Sequence, residues 1–493
     1  MIFDSHILQV ANFPFPTPPE TTALVEAEHC LKALEALDAQ GKLTPIGRAM
    51  AQYPMSPRHS RMLLTVIQIM RNQQGYARAN LVLGYAIATA SALSYPNPFN
   101  MQFDVNHDSS DGLNQEEDLQ VQESKERLKK AKTRAKEARA KFCNPSSDAL
   151  TFAYALQLFE LAENPFEFCQ KHSLQLKIME EMSKLRKQLL QLIFYQSKFS
   201  EEFGWDHGSA EEVELTWKVS SSKHPLLMNE EELLGQAICA GWADRVAKRV
   251  RKVSESSDND RKVRAVRYQS CALSDTIYLH RWSSVSQSAP EFVVYTELLQ
   301  TNRPYMHGAT SVKSDWLVKY ASSLCTFSAP LTDPKPYYEP LSDEVLCWVS
   351  PVFGQHNWQL PLHCLPVKND VLRVSVFACA LLEGHVLPCM RMAQKFLAMS
   401  PSSMLRPEAL GQRRVGDLLN GLKIGSRRIC SRAMLRDAWN ENPRKLYSEI
   451  QYWFQERFHG QFEELWEQMH HEVILEGHGL FPKRTKKDKE RLK

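Results

Sequence analysis

Leu43-Thr44-Pro45-Ile46-Gly47-Arg48-Ala49-Met50-Ala51-Gln52-Tyr53-Pro54-Met55-Ser56-Pro57-Arg58-His59-Ser60-Arg61-Met62-Leu63-Leu64 carries one helix start signal twice. Thr44 precedes Pro45 and Ser56 precedes Pro57, each a hydroxyl in the N-cap place followed by proline at the first helical position, where a missing N–H is no loss. The spacing predicts a short helix that ends before Pro54. A second, core-facing helix should then run through Met62, Leu63, Val66, Ile69 and Met70. Upstream, Leu24, Ala27, Leu31, Leu34 and Leu37 form an apolar stripe, with Gly41 in the place of a C-cap glycine.

Working outward, the chain of 493 residues is 43% hydrophobic and 24% charged, the balance of a soluble globular protein too long for one ordinary domain. A net charge of +3 gives no general basicity, so any nucleic-acid surface must arise by local clustering. The eleven cysteines form no Cys-x-x-Cys pair, and Met1-Ile2-Phe3-Asp4-Ser5-His6 lacks a basic segment followed by an apolar one. A reducing, intracellular compartment is expected. The apolar run Leu81 to Leu93 is short of the roughly 20 residues that span a bilayer, so no membrane partner is expected.

The run Leu34-Glu35-Ala36-Leu37-Asp38, with Gly41 through Ala51 and Tyr53-Pro54, resembles the winged helix that follows the two motor domains of DEAH-box RNA helicases. Val10 to Pro19 and Pro57 to Leu64 are similar to the nucleolar member of that family, which acts in small-subunit ribosome assembly. The resemblance implies a multidomain α+β fold: a winged helix over 1–70, a helical ratchet over 71–205, an oligonucleotide-binding barrel over 206–340, a further C-terminal domain over 341–482 and a basic tail over 483–493. It also implies that the motor domains are absent from this chain. No Gly-x-x-x-x-Gly-Lys-Ser/Thr loop is present, and Asp343-Glu344 has only the first letters of the acidic motor motif. ATP and magnesium are therefore expected only in motor domains outside this chain. Gln412-Arg413-Arg414-Val415-Gly416 reads as a solvated helix edge.

In the expected ratchet, Leu81 to Ala88, Leu150 to Leu161 and Leu174 to Phe194 read as helices. Ser147-Asp148-Ala149 occupies the place where the family usually has Gly-Asp-His, which leaves no histidine for that turn. An insertion from Asp104 to Lys141 divides the bundle; its second half, Glu123 to Lys141, reads as an exposed basic helix. Glu230 to about Arg251 reads as a helix with Arg245, Lys248, Arg249, Arg251 and Lys252 crowding its end.

Val263 to Cys271, Thr276 to His280 and Glu291 to Leu298 read as strands. Together with Ala237 to Trp242, Tyr268, Thr301, Tyr305-Met306 and Trp316-Leu317, they resemble the family's oligonucleotide-binding fold. Such barrels hold single strands with basic grooves and aromatic stacking platforms. Arg303, Tyr305, His307, Thr310 and Lys313 are the candidates for that surface; the family commonly has arginine where His307 stands. Arg427, Arg428, Arg432 and Arg436 are further candidates for phosphate contact.

Farther on, Val345 to Pro351, Trp358 to Val367 and Leu372 to Leu382 read as strands, with amphipathic helices over His385 to Met399 and Lys445 to His471. The last carries an aromatic stripe from Tyr447 to Met469, read as domain core. His356, His363, Cys364 and Cys379 match no zinc spacing, so no metal is expected, and no hydrolase nucleophile motif appears. The resemblance implies a nuclear, nucleolar protein acting on single-stranded RNA, pre-rRNA and small nucleolar RNA, with ribosome-assembly factors or a helicase activator as partners. A motor-less RNA-binding module or a protein-interaction scaffold is the alternative.

Overall fold

The computed structural model describes residues 13–73, 75–100, 133, 135–197, 202–219, 225–250, 266–301, 303–406, 408, 411–424 and 427–474. They fall into two compact units, one reaching to Thr326 and including Val352–Trp358, the other made of Phe327–Pro351 and the chain from Gln359 on. The fold is mixed α+β. The basic tail and most of the insertion, 101–132 and 134, lie outside the described residues. Among the described residues no helix is long and apolar enough to cross a membrane.

In the first unit, helices span Thr21–Ala33, Pro45–Ala51 and Pro57–Arg71. The Thr44 hydroxyl accepts from Gly47 N at 3.0 Å and donates to Glu35 O at 2.6 Å, so one side chain caps a helix and ties it to the preceding turn. Ser56 stands at the next N-cap, but its side chain makes no capping bond. Gly41 is not the C-cap expected of it. The first helix stops at Ala33, and Glu35, at φ 58°, takes the left-handed position while Gly41 turns the chain within the Leu37–Leu43 bridge. A tertiary contact decides this early stop, because the Glu35 carboxylate is held 2.8 Å from Arg61 Nη2.

The helices Ala79–Leu93, Asp148–Glu160, Leu176–Ser197 and Ala210–Val219 form the bundle. Arg186 is fully buried among them, 2.8 Å from Glu160, 2.9 Å from Glu214 and 5.0 Å from the Trp217 ring centre. Two carboxylates and an aromatic face satisfy a charge that would be untenable alone there. The described end of the insertion corrects one expectation. Residues 135–140 are helical but exposed on one side only: Ala135, Ala138 and Arg139 are buried, with Arg139 paired to Asp148, while Lys136, Glu137 and Ala140 are exposed.

The helix read as running to Arg251 ends at Gly241, whose close approach to Arg58 O leaves no room for a side chain. Val246–Arg249 is instead strand β1, so Lys248 and Arg249 lie across a sheet and not at a helix end. The other strands are β2 (Val266–Ser270), β3 (Thr276–Leu279), β4 (Phe292–Val294), β5 (Glu297–Gln300), β6 (Pro304–His307) and β7 (Thr310–Val312). Glu291 to Leu298, read as one strand, is two. Tyr295 N bonds Arg245 O and Thr296 N bonds His307 O, which turns the chain from one sheet neighbour to another. The sheet order is β5-β6-β3-β2-β1-β4-β7, antiparallel except for β3 beside β6. Ala247, Tyr268, Ile277, Leu279, Val293 and Met306 alternate onto one face and form its core.

In the second unit, His363–Pro366, Glu344–Val349 and Tyr337–Glu339 make a three-stranded sheet in that order. Leu372 to Leu382 is not a strand but most of the helix Asp370–Leu382, capped by the Asn369 side chain at 3.0 and 3.1 Å from Val371 N and Leu372 N. Residues Val374 through Leu382 are all buried, so no polar face remained to reveal the 3.6-residue period. The helix expected over His385 to Met399 shrinks to Cys389–Ala393, with Pro388 at its N-cap, and one following 3-10 turn. Lys445 to His471 is likewise broken, into Tyr447–Gln451, a 3-10 segment Glu456–Gln461 and the helix Phe462–Ile474. Its stripe is core: Ile450, Trp453, Phe454, Phe458, Phe462, Leu465, Trp466 and Met469 are all buried.

Candidate nucleic-acid interface

The pleat that buries Ile277, Leu279 and Met306 sends their neighbours to the opposite face. There, Arg267 pairs in register with Tyr278, Tyr278 with Tyr305, and Tyr305 with Leu299, a row crossing β2, β3, β6 and β5. The tyrosine rings lie 5.9 Å apart, and His280 meets Tyr305 edge-on at 5.3 Å. Arg303 holds its guanidinium 5.2 Å from the Tyr278 ring centre. Both tyrosines are partly exposed, and Leu299 is exposed. Aromatic faces bordered by guanidinium groups are the chemistry that stacks bases and neutralises phosphates without reading sequence.

The sequence candidates divide around this row. Arg303 and Tyr305 belong to it. Lys313 is exposed but bonded to Glu232 at 2.6 Å, with its ammonium 5.7 Å from the Trp316 ring centre. His307 faces the bundle, its ring stacked on Phe152 at 6.3 Å and its Nδ1 3.3 Å from the Glu297 carboxylate. Burial pushes its pKa down, with Arg139 acting in the same direction and Glu297 and Asp148 opposing, which favours the neutral ring. Thr310 is 2% exposed, with its hydroxyl 2.8 Å from that of Ser147. Between β6 and β7, Gly308 takes φ +62°, and a Cβ there would meet Thr296 Oγ1 at 2.4 Å.

Arg427 and Arg428 belong to the second unit, in a short strand paired with Lys423–Ile424, where Arg428 lies opposite Lys423. Arg427 is exposed there. Arg432 is buried and donates to Glu472 O, and Arg436 lies 3.6 Å from Asp437.

Tyr278 and Arg267 were not picked out in the sequence as surface residues. The available signal was the alternation of Ile277 and Leu279 around Tyr278, but the register that sets Tyr278 beside Tyr305 is a tertiary fact.

The Ser147-Asp148-Ala149 turn has a structural office. Asp148 is 4% exposed, and its carboxylate accepts from Ser283 Oγ at 2.8 Å, Ser284 N and Oγ at 2.7 Å each, Ala309 N at 3.0 Å and Arg139 Nη2 at 3.3 Å. It joins the bundle to the loops at the rim of the sheet and so positions the tyrosine row.

Asp343 is not free to hold a magnesium ion. Asp343, the single hint of an acidic motor motif, spends its carboxylate on Arg432 N, on Ala433 N at 2.9 Å and on Tyr338 Oη at 2.7 Å. His356 is bonded to Gln269 and Leu273 O at 3.2 Å each, and among the described residues no group of three His, Cys, Asp or Glu gathers as a metal site.

Four family models match successive parts of the chain. Residues 27–55 match the winged-helix part of the helicase associated domain (HA2), and 56–152 match its ratchet-like part. Residues 234–324 match the oligonucleotide/oligosaccharide-binding (OB)-fold, and 389–470 match the DEAH helicase DHX37 C-terminal domain. Over 94% of its length the chain is 53% identical to the ATP-dependent RNA helicase DEAH13 of Arabidopsis thaliana. It is 29% identical to the probable ATP-dependent RNA helicase DHX37 of Homo sapiens, also over 94% of the chain. Over 71% of the chain it is 28% identical to the probable ATP-dependent RNA helicase DHR1 of Saccharomyces cerevisiae. It spans 37%, 38% and 28% of these three relatives, respectively. The chain thus carries the helicase-associated winged-helix and ratchet, oligonucleotide-binding and DHX37-type C-terminal domains of a DEAH-box RNA helicase.

Proposed function

We propose that this chain is the RNA-contacting accessory part of an ATP-dependent RNA helicase acting on small-subunit pre-rRNA in the nucleolus. The carrying observation is the row Arg267, Tyr278 and Tyr305, with Arg303 over Tyr278, on the outward face of a sheet that matches the oligonucleotide-binding fold. ATP and magnesium would bind in motor domains outside this chain, and their cycle would move a single strand across this face. The duplex to be remodelled is one between pre-rRNA and a small nucleolar RNA, with a ribosome-assembly factor or activator protein as partner. The names of the relatives support the helicase part of this reading, each being an ATP-dependent RNA helicase or a probable one.

The test is equilibrium binding of single-stranded RNA at two salt concentrations, together with RNA-stimulated ATP hydrolysis. Binding that weakens with salt, without hydrolysis, is the expected result. Arg303→Ala with Tyr305→Ala should weaken binding about tenfold, in line with loss of one charge-assisted contact and one stacking platform. Unchanged affinity would refute the assignment of this face, and a chain that binds no RNA would favour a protein-interaction scaffold.

A further inference from the structure

One buried cation has more donors than acceptors. Arg139 is 7% exposed, with its guanidinium 5.1 Å from the Phe99 ring centre and Nη2 3.3 Å from Asp148. Nη1 has no hydrogen-bond partner among the described residues. Asp148 cannot readily supply one, since its two oxygens already accept from Ser283, Ser284 and Ala309. Arg139 lines a cavity of about 10 Å³ with Phe99, Asn100, Ala135, Ser173 and Trp282. That is room for about one oxygen atom. A buried guanidinium N–H favours an oxygen acceptor, and an anionic oxygen above a neutral one.

The cavity adjoins the tyrosine row. Trp282 N donates to His280 Nδ1 at 3.3 Å, and His280 packs edge-on against Tyr305. A strand stacked on Tyr278 and Tyr305 therefore passes the loop whose tryptophan walls the cavity.

We propose that this cavity takes a non-bridging phosphate oxygen of the RNA strand held on the tyrosine row, with Arg139 Nη1 as its donor; the inference rests on the RNA-binding reading above. Asn100 and Ser173 line the cavity and add neutral polar groups. The contact is to backbone, so it carries affinity and register but no sequence preference.

Asn100→Asp sets a carboxylate where the phosphate oxygen would lie. With single-stranded oligouridylate as probe, this variant should bind about tenfold more weakly, with the slope of log affinity against log salt reduced by about one. It should melt no lower than the wild type, since the new carboxylate answers Nη1. On an oligouridylate with neutral methylphosphonate linkages the two proteins should bind alike. Ser173→Asp is the second variant, its left-handed backbone at φ 54° being one that aspartate tolerates. A wild type that binds oligouridylate while both folded variants keep its affinity and slope overturns the cavity assignment alone. A wild type that does not bind overturns the reading of the tyrosine row, and the cavity assignment with it.

Discussion

Replacing Asp148 with alanine removes the acceptor on which two elements of the first unit meet. Five donors lose their partner, among them the backbone N–H groups of Ser284 and Ala309, both at buried contacts, and the guanidinium of Arg139. Each orphaned buried donor costs about 1–3 kcal/mol, and breaking a buried pair by removing one partner costs about 3–5 kcal/mol. The terms overlap, because water that enters to serve one donor serves its neighbours, so a total of about 4 kcal/mol is expected. For a unit of this size that lowers the melting temperature by roughly 6 °C. Thermal unfolding followed by circular dichroism reads the shift. Arg139→Met in the Asp148→Ala background should recover part of the loss by removing the stranded charge. A melting temperature of Asp148→Ala within about 1 °C of the wild type would refute the account of Asp148 as the joint between bundle and sheet.

Burial, with Arg58 adding to it, pushes His59 from 6.5 down to about 4. Between those values the unfolded chain binds a proton that the folded chain refuses, so the contribution of His59 is full above about pH 6.5 and is lost as pH falls toward 4. The loss is about 2 kcal/mol at pH 5, and denaturant titrations at pH 7 and 5 should show His59→Gln flattening that dependence; an equal slope in both proteins would count against it. Gly47→Ala sets helix propensity, which favours alanine by about 1 kcal/mol, against a Cβ that would lie 2.1 Å from Ala36 O. The backbone clash should win, with a net loss of about 2 kcal/mol, and a stabilised variant in a denaturant titration would show that the Thr44 turn can move.

The chain's local rules carried far. Two Ser/Thr-Pro signals placed both helix starts in the first domain, and Thr44 caps as its position requires. The β-branched and aromatic residues of Thr276 to His280 placed β3, and the apolar run after Leu81 placed a buried helix. Quoted motifs were enough to identify the helicase-associated domains. Local rules failed where burial was complete or where a tertiary contact outweighed propensity. Val374 through Leu382 is buried on all sides, so its period was hidden and a helix read as a strand. The Arg61 contact held Glu35 in the left-handed turn and took that role from Gly41.

The interface divides in the same way. Sequence alone determined which residue types were available: arginine, tyrosine and histidine over 303–307 with no nucleotide-binding loop anywhere in the chain. Only the tertiary structure decided which of them meet. The parallel pairing of β3 with β6 put Tyr278 beside Tyr305, the bundle drew His307 and Thr310 inward, and Asp148 drew Arg139 out of solvent. His307 and Thr310 depend on Phe152 and Ser147, more than 150 residues away along the chain, and Tyr278 on a strand beyond the next two in sequence. No local window of sequence contains them.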